Sequence, residues 1–408
     1  AVFHLDAENE SAEDMNAVLD EEGAVVLDTE HFSPYAGAPR RLSAPTGTAI
    51  SGNLNDTSSL SAGSYYLSAD AYTNNTISIN GNVTLDLNGQ GFYYKGTAQL
   101  FEVQNGGLLT IIDSGSVKPT QSFESGDNYG HIATVGWDGN TPRTLEYYVT
   151  ETSASGITTS ESLVKYTATA KGFIVAENDG GAASVVKVES GGTFNLEGGM
   201  LTMKNSAIYS GDAHDAHIIM NAGTVNLEGG YVCGGQDTGW GGGIYSSGTI
   251  NMTGGVVAAN AGQSGGGICV NGGTMNMSGG VISGNWTNNS SSNIDLENQA
   301  YDGGGVYVSY GGTLNLSGGY ITNNFKSLTD ANDSYDRHGG GGVAIDHGST
   351  MNMTGGYVTG NRSEDAAGGI FAGYRENSNF SMTGGIIASN FANHGEGGGL
   401  RVGGGTNA

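Results

Sequence analysis

The stretch GGGICVNGGTMNMSGGVISGN, residues 265–285, holds three short apolar segments separated by glycine or asparagine. Apolar residues alternate with polar or small ones in ICVN and TMNM, and the third segment is centred on Ile282. Alternation with a period of two is typical of β-strands, and these glycine-bounded segments are too short for helices. The stretch therefore predicts three short strands joined by tight turns.

The same three segments recur along the second half of the chain. The middle pattern, G-T-x-N-x-x-G-G, begins at Gly192, Gly223, Gly248, Gly273, Gly312 and, in variant form, at Ser349 and Ser378. From Gly248 onward a glycine run with an apolar stretch precedes it. An aliphatic residue with Asn three positions later follows it, as in Ile282 and Asn285. A unit of about 25 residues that returns with insertions indicates a solenoid.

Three strands in each repeat predict an all-β fold, a right-handed parallel β-helix. Each strand would stack on its counterpart in the next turn, so that like residues form columns. Columns of Met, Leu, Ile and Val should fill the interior, and the Asn column should form a ladder at a turn. One repeat cannot bury enough surface alone, so the repeats are expected to fold as an array.

The chain divides into four predicted regions. Residues 1–50 are expected to form an N-terminal cap, with an acidic amphipathic helix over 11–22 and a strand over 24–27. Residues 51–116 predict irregular first rungs, 117–190 a hairpin or an elaborated rung, and 191–408 the regular repeats. The sequence stops within a rung. Two interpretations stay open for that end: continuation of a longer chain, or end-to-end association with another molecule.

Composition excludes some classes of partner. The 408 residues carry 14 Lys and Arg against 40 Asp and Glu, a net charge of −26. A uniformly acidic surface repels nucleic acid and anionic lipid, and we expect neither as a partner. No apolar run approaches membrane-spanning length. Cys233 and Cys269 are predicted on different strands, as small apolar residues rather than as a disulfide.

The glycine runs and the aliphatic-x-x-Asn elements resemble the repeats of polymorphic-membrane-protein-type adhesins, which pair GGA-I with F-x-x-N. This chain has Gly in place of that Ala and Val or Ile in place of that Phe. Its opening segment and VTLDLNG, residues 83–89, are similar to the start of pectate-lyase-like β-helix proteins. These resemblances cover most of 1–112 and 185–408. They imply a β-helix on a bacterial cell surface or in the extracellular space, and they carry over no catalytic residue.

The long insertions fall between the Asn column and the next glycine run, so they should cluster along one edge of the solenoid. Per-repeat insertions on one face are often where such proteins bind ligands. The predicted ligand-binding residues of this edge are Trp240, Trp286, Tyr301, Asp302, Phe325, Asp333, Tyr335, Asp336 and His338. A secondary aromatic stripe is predicted on the outward side of the first strands, at Tyr245, Tyr307 and Phe371.

These features favour an adhesin-like binding protein that recognises a glycan or a partner protein. A polysaccharide lyase or glycoside hydrolase is the first alternative, with Asp302, Asp336, Asp365 and Glu396 as candidate carboxylates. A structural, filament-forming solenoid is the second. GDAHDAH, residues 211–217, is a candidate metal site through Asp212, His214, Asp215 and His217. We expect no cofactor, and the sequence does not support a structural calcium ion.

Overall fold

The structure, a computed structural model, describes most of the chain. The described residues are 17–19, 25–27, 45–115, 118–155, 158–178, 184–205, 217–237, 239–287, 302–327, 339–364, 367–373, 378–394 and 397–403. Within these ranges the secondary structure consists of strands, and most strands pair in parallel with a counterpart one turn away. The all-β parallel β-helix predicted from the repeat is confirmed. No helix in the described part is long and apolar enough to cross a membrane.

The first strands of the turns form an eleven-stranded parallel stack. Its members are Ser59–Leu60, Ile77–Ile79, Gln99–Val103, Ser184–Val188, Ile219–Asn221, Ile244–Ser246, Ile268–Asn271, Val306–Ser309, Val343–Ile345, Ile370–Ala372 and Leu400–Val402.

The second and third strands belong to one eighteen-stranded sheet, which Thr48–Asn53 enters at its beginning. The second strands are Gly63–Thr73, Asn82–Asp86, Leu108–Ile112, Thr193–Leu196, Thr224–Leu227, Thr249–Met252, Thr274–Met277, Thr313–Leu316, Thr350–Thr359 and Asn379–Ala388. The third strands are Gly91–Tyr94, Phe173–Asn178, Met200–Asn205, Tyr231–Cys233, Val256–Ala258, Val281–Ser283 and Tyr320–Thr322. Gly63–Thr73, Thr350–Thr359 and Asn379–Ala388 span both positions.

The apolar columns fill the interior, as the alternation predicts. Met275, Met277 and Ile282 are all buried, and their partners in neighbouring turns are buried beside them. One hydrophobic cluster runs from Leu60 to Phe380. Each turn therefore shares its core with the turns above and below, which is why the array folds as a unit.

A buried asparagine ladder marks the turn after the third strand. Nδ2 of Asn285 donates to Oδ1 of Asn324 at 3.0 Å and to the Val257 carbonyl at 3.0 Å. Oδ1 of Asn285 in turn accepts from the amide and side chain of Asn260, at 3.1 and 3.0 Å. The ladder continues to Asn361 and Asn390. Asn260, Asn285, Asn324 and Asn361 are fully buried, so each of their bonds satisfies a polar atom that would otherwise be costly to bury.

Residues 118–170 contain a four-stranded antiparallel sheet that packs against the side of the solenoid. Its strands are Thr120–Glu124, Thr134–Asp138, Thr141–Ser155 and Thr158–Thr169. We call this sheet the insert. Leu145, Tyr147 and Val149 of the insert form one buried cluster with outward-facing residues of the third strands, including Val256 and Val281. The insert therefore covers that face of the solenoid.

The N-terminal helix predicted over 11–22 is wrong where the structure tests it. Ala17–Leu19 is a strand, and it pairs antiparallel with Val25–Leu27, which lies within the predicted strand 24–27. A β-hairpin satisfies the backbone groups of both segments with each other, and this local pairing overrides the helical periodicity of the acidic segment. The rest of that predicted helix lies outside the described residues.

Candidate functional site

A fourth short strand follows the asparagine ladder in each of five turns. These strands are Ala261–Gly262, Trp286–Thr287, Phe325–Lys326, Arg362–Ser363 and Phe391–Ala392, and they form their own parallel stack. The register aligns the first residues of these strands, which are Ala261, fully buried, followed by Trp286, Phe325, Arg362 and Phe391. We call the last four residues the edge column. Their side chains are half-buried, so each presents part of its surface to solvent.

The edge column lies beside a close backbone contact that requires glycine. Gly266 sits so close to the Trp286 strand that an added β-carbon would lie 2.2 Å from the Trp286 carbonyl oxygen. A β-carbon added at Gly304 would likewise lie 2.5 Å from the Phe325 carbonyl oxygen. The glycine runs therefore allow the backbone before each first strand to pack directly against the backbone of a fourth strand. This close packing fixes the position of the edge column.

The side chains of the edge column contact one another and the insert. The Arg362 guanidinium lies 5.7 Å from the Phe325 ring centroid and 5.9 Å from that of Phe391, within cation–π range of both. Arg362 also pairs with Glu364 at 2.7 Å. Tyr129, from the insert region, stacks on Phe391 with 4.7 Å between centroids. The edge column therefore holds three aromatic rings and one arginine, and the charge of that arginine is paired with Glu364.

Beneath the edge column the interior is polar. Thr287, Lys326 and Ser363 face inward and are buried, and Asp302 is 0 % exposed. Asp302 and Lys326 converge at Gly339, where an added β-carbon would lie 2.4 Å from Asp302 Oδ1 and 2.5 Å from Lys326 Cε. Asp302, predicted as a ligand contact or a catalytic carboxylate, is therefore buried. A polysaccharide at the surface does not reach it in this conformation.

Several candidates fall outside the described residues, and the structure neither joins nor separates them. They are Tyr301, Asp333, Tyr335, Asp336, His338, Asp365 and Glu396. Of the four candidate carboxylates, only Asp302 is among the described residues.

The predicted aromatic stripe forms a column but not a surface. Tyr245, Tyr307 and Phe371 align through Cys269 and Ala344, as the register predicts. Tyr307 is only 1 % exposed and Phe371 only 2 %, while Tyr245 is half-buried. They form a third hydrophobic cluster. Tyr307 and Phe371 therefore do not offer an exposed aromatic surface, because they pack with Cys269, Ala344 and Ala367.

Trp240 covers part of that third cluster and joins two aromatic residues that the sequence reasoning missed. Its ring lies 6.4 Å from Tyr307 and 5.7 Å from Tyr310, which is 55 % exposed. Tyr310 stacks on His347 of the next turn at 4.6 Å. Both lie in the turn after the first strand with φ of 51° and 50°, a region that bulky side chains rarely adopt. In the sequence, Tyr310 directly precedes Gly311 and His347 directly precedes Gly348, and this shared position was the signal that could have identified the pair.

The candidate metal site is reduced to one described residue. Nδ1 of His217 lies 3.0 Å from Asp237 Oδ2 and 2.9 Å from the Gly241 carbonyl oxygen, and the imidazole stacks on Tyr245. The side chains of His217 and Asp237 are both buried. Asp212, His214 and Asp215 lie outside the described residues. Where the structure describes the chain, no group of three or more His, Cys, Asp or Glu side chains is placed to hold a metal ion.

Both cysteines are free and buried, on Tyr231–Cys233 and Ile268–Asn271. Burial raises the pKa of the Cys233 thiol to about 12, and burial together with the nearby Asp237 carboxylate raises that of Cys269 further. A thiol in such a place is a packing residue rather than a nucleophile.

Comparison of the chain with protein-family models, with curated proteins and with solved structures found no match.

Proposed function

We propose that this chain is an adhesin-like binding protein of a bacterial cell surface or the extracellular space, and that it binds an extended neutral glycan along the edge column. The edge column carries the proposal. Trp286, Phe325 and Phe391 present partly exposed rings on successive or nearby turns, and turns lie about 4.8 Å apart. Rings held at this spacing suit a ligand that repeats along the solenoid axis.

The negative charge of the chain favours a neutral ligand over an anionic one. A net charge of −26 disfavours an anionic polysaccharide, and the pairing of Arg362 with Glu364 leaves no strong anion site in the edge column. The apolar faces of neutral sugar rings bury area against aromatic rings, while nearby polar groups bond their hydroxyls. The extracellular setting is supported by the acidic composition and by the resemblance of the repeats to surface adhesins.

The test is binding to a panel of neutral oligosaccharides and candidate proteins by the wild type and by Trp286→Ala. Loss of one stacking ring should weaken glycan binding by about tenfold, or about 1.4 kcal/mol. Tyr72→Ala is the matched control, since Tyr72 is 48 % exposed in the first rungs, away from the edge column. The proposal fails if no glycan binds, or if Trp286→Ala binds as the wild type does. If a candidate protein binds through the edge column and no glycan does, the ligand is a protein and the glycan proposal is wrong.

A further inference from the structure

The outward face of the second strands carries two columns of uncharged polar side chains. The threonine column is Thr193, Thr224, Thr249, Thr274, Thr313 and Thr350, and the asparagine column is Asn195, Asn226, Asn251, Asn276, Asn315 and Asn352. We call this surface the Thr/Asn face. Each column is in register over six turns. The turns lie about 4.8 Å apart, and alternate residues of one strand about 6.6 Å apart, so the face is a regular two-dimensional grid.

The asparagine side chains of this face are held by one another. Nδ2 of Asn276 donates to Oδ1 of Asn251 at 3.0 Å, and Asn315 donates to Asn276 at 2.9 Å. The same bonds join Asn226 to Asn195 and Asn352 to Asn315. Each amide has two N–H groups and two lone pairs, so the ladder leaves one donor and one acceptor per turn for solvent.

The threonine hydroxyls add a second row of free groups. Within the described residues, the hydroxyls of Thr249, Thr274 and Thr313 form no hydrogen bond with the protein, and these side chains are half-buried with one side open to solvent. A β-branched side chain in a strand has restricted χ1. Methyl and hydroxyl groups therefore repeat in fixed positions, and ordering them against a partner costs little side-chain entropy.

The threonine and asparagine columns hold no charged side chain, although the chain has a net charge of −26. Glu197 and Glu228 lie two residues beyond Asn195 and Asn226, at the edge of the face in its first two turns, where the next two turns have Thr253 and Ser278. Charged groups bind their own hydration shells and would disturb a regular water layer. The columns hold no aromatic ring either, which disfavours a crystalline polysaccharide as the partner.

We propose that the Thr/Asn face binds the surface of an ice crystal. The threonine methyl groups confine a layer of water between the columns, and the hydroxyls and free amide groups anchor that layer by hydrogen bonds. The layer is regular because the groups that hold it repeat with the turns of the coil. This inference is independent of the edge column, which lies on the fourth strands.

The test is ice recrystallisation inhibition and thermal hysteresis with the wild type, Thr274→Lys and Thr134→Lys. Thr274 is central in the face, whereas Thr134 is an exposed threonine of the insert. The wild type and Thr134→Lys should both inhibit recrystallisation, and Thr274→Lys should need at least about tenfold more protein for the same effect. Circular dichroism melts show that both variants fold. Absence of activity in the wild type, equal activity in all three proteins, or adsorption to crystalline cellulose that Thr274→Lys abolishes while ice is unaffected, would each overturn the proposal.

Discussion

Two asparagines of the same turn show how far a residue's role depends on which way it faces. Asn276 and Asn285 both belong to ladders with side-chain bonds of 2.9 to 3.0 Å. Asn285 is fully buried, while Asn276 is exposed. Water can replace the lost partners of Asn276, but it cannot reach those of Asn285.

Asn285→Ala should therefore destabilise the protein by about 3 kcal/mol or more, because it leaves the buried Asn260 amide and the Val257 carbonyl without this partner. Asn276→Ala is the matched control, with an expected loss below about 1 kcal/mol. Equilibrium unfolding in urea measures both. Equal losses for the two variants would show that the inner ladder is not what stabilises the turn.

The cysteines give a second prediction at this scale. Since burial raises the pKa of Cys233 to about 12 and that of Cys269 further, neither thiolate forms in the folded protein near neutral pH. Titration with a thiol reagent at pH 8 should find no reactive group in the native state and two in guanidinium chloride. Reaction of a thiol in the native protein at the rate of the unfolded chain would contradict this placement.

Residue-level prediction from the sequence succeeded where the period decides the environment. The alternation correctly placed Met275, Met277 and Ile282 in the core. It failed for Tyr307, because alternation says which side of a strand a residue faces but not whether another segment covers that side. Asp302 precedes its strand, where no period applies, and its burial depends on the neighbouring turn.

At the scale of elements, the insert is the part that the sequence described least. Its contacts are long-range: the Thr359 hydroxyl donates to the Thr150 carbonyl at 2.8 Å, across 209 positions of sequence. No local pattern predicts such a contact. A signal did exist on the other side of the interface, since the outward column Tyr231, Val256, Val281, Tyr320 and Tyr357 is apolar throughout. An apolar outward column indicates a covered face.

Val149→Asp should detach the insert, because it places a carboxylate in the cluster between the insert and the third strands. Dye binding to exposed apolar surface should rise, and the insert should become sensitive to protease while the solenoid keeps its strand signal in circular dichroism. Phe123→Asp is the control, as Phe123 lies on the insert with 76 % exposure and should tolerate the change. A protease-resistant insert in Val149→Asp would contradict the packing described above.

The fourth strands illustrate a different limit. Two residues are too few to show a period, so the sequence alone assigned Trp286 and Phe325 to loops. The signal was positional instead: the residue directly after each ladder asparagine begins a fourth strand, which adds Arg362 and Phe391 to the edge column.

At the scale of the whole molecule, the repeat builds a scaffold with different chemistry on its different sides. The insert covers the third strands, the Thr/Asn face lies on the second strands, and the edge column lies on the fourth. A parallel β-helix keeps these surfaces separate because each side chain column stays in register from turn to turn. The sequence predicted this architecture from its period, but it could not identify which column meets solvent.

We propose the edge column as the ligand-binding surface, and a single tryptophan within it can report on binding. The chain has three tryptophans, so Trp137→Phe with Trp240→Phe leaves Trp286 as the only one. We expect a saturable blue shift of Trp286 emission when this variant is titrated with the oligosaccharide that the wild type binds best, at the affinity found by calorimetry. Calorimetric binding without any change in Trp286 emission, together with a shift in a variant that retains only Trp240, would contradict the claim.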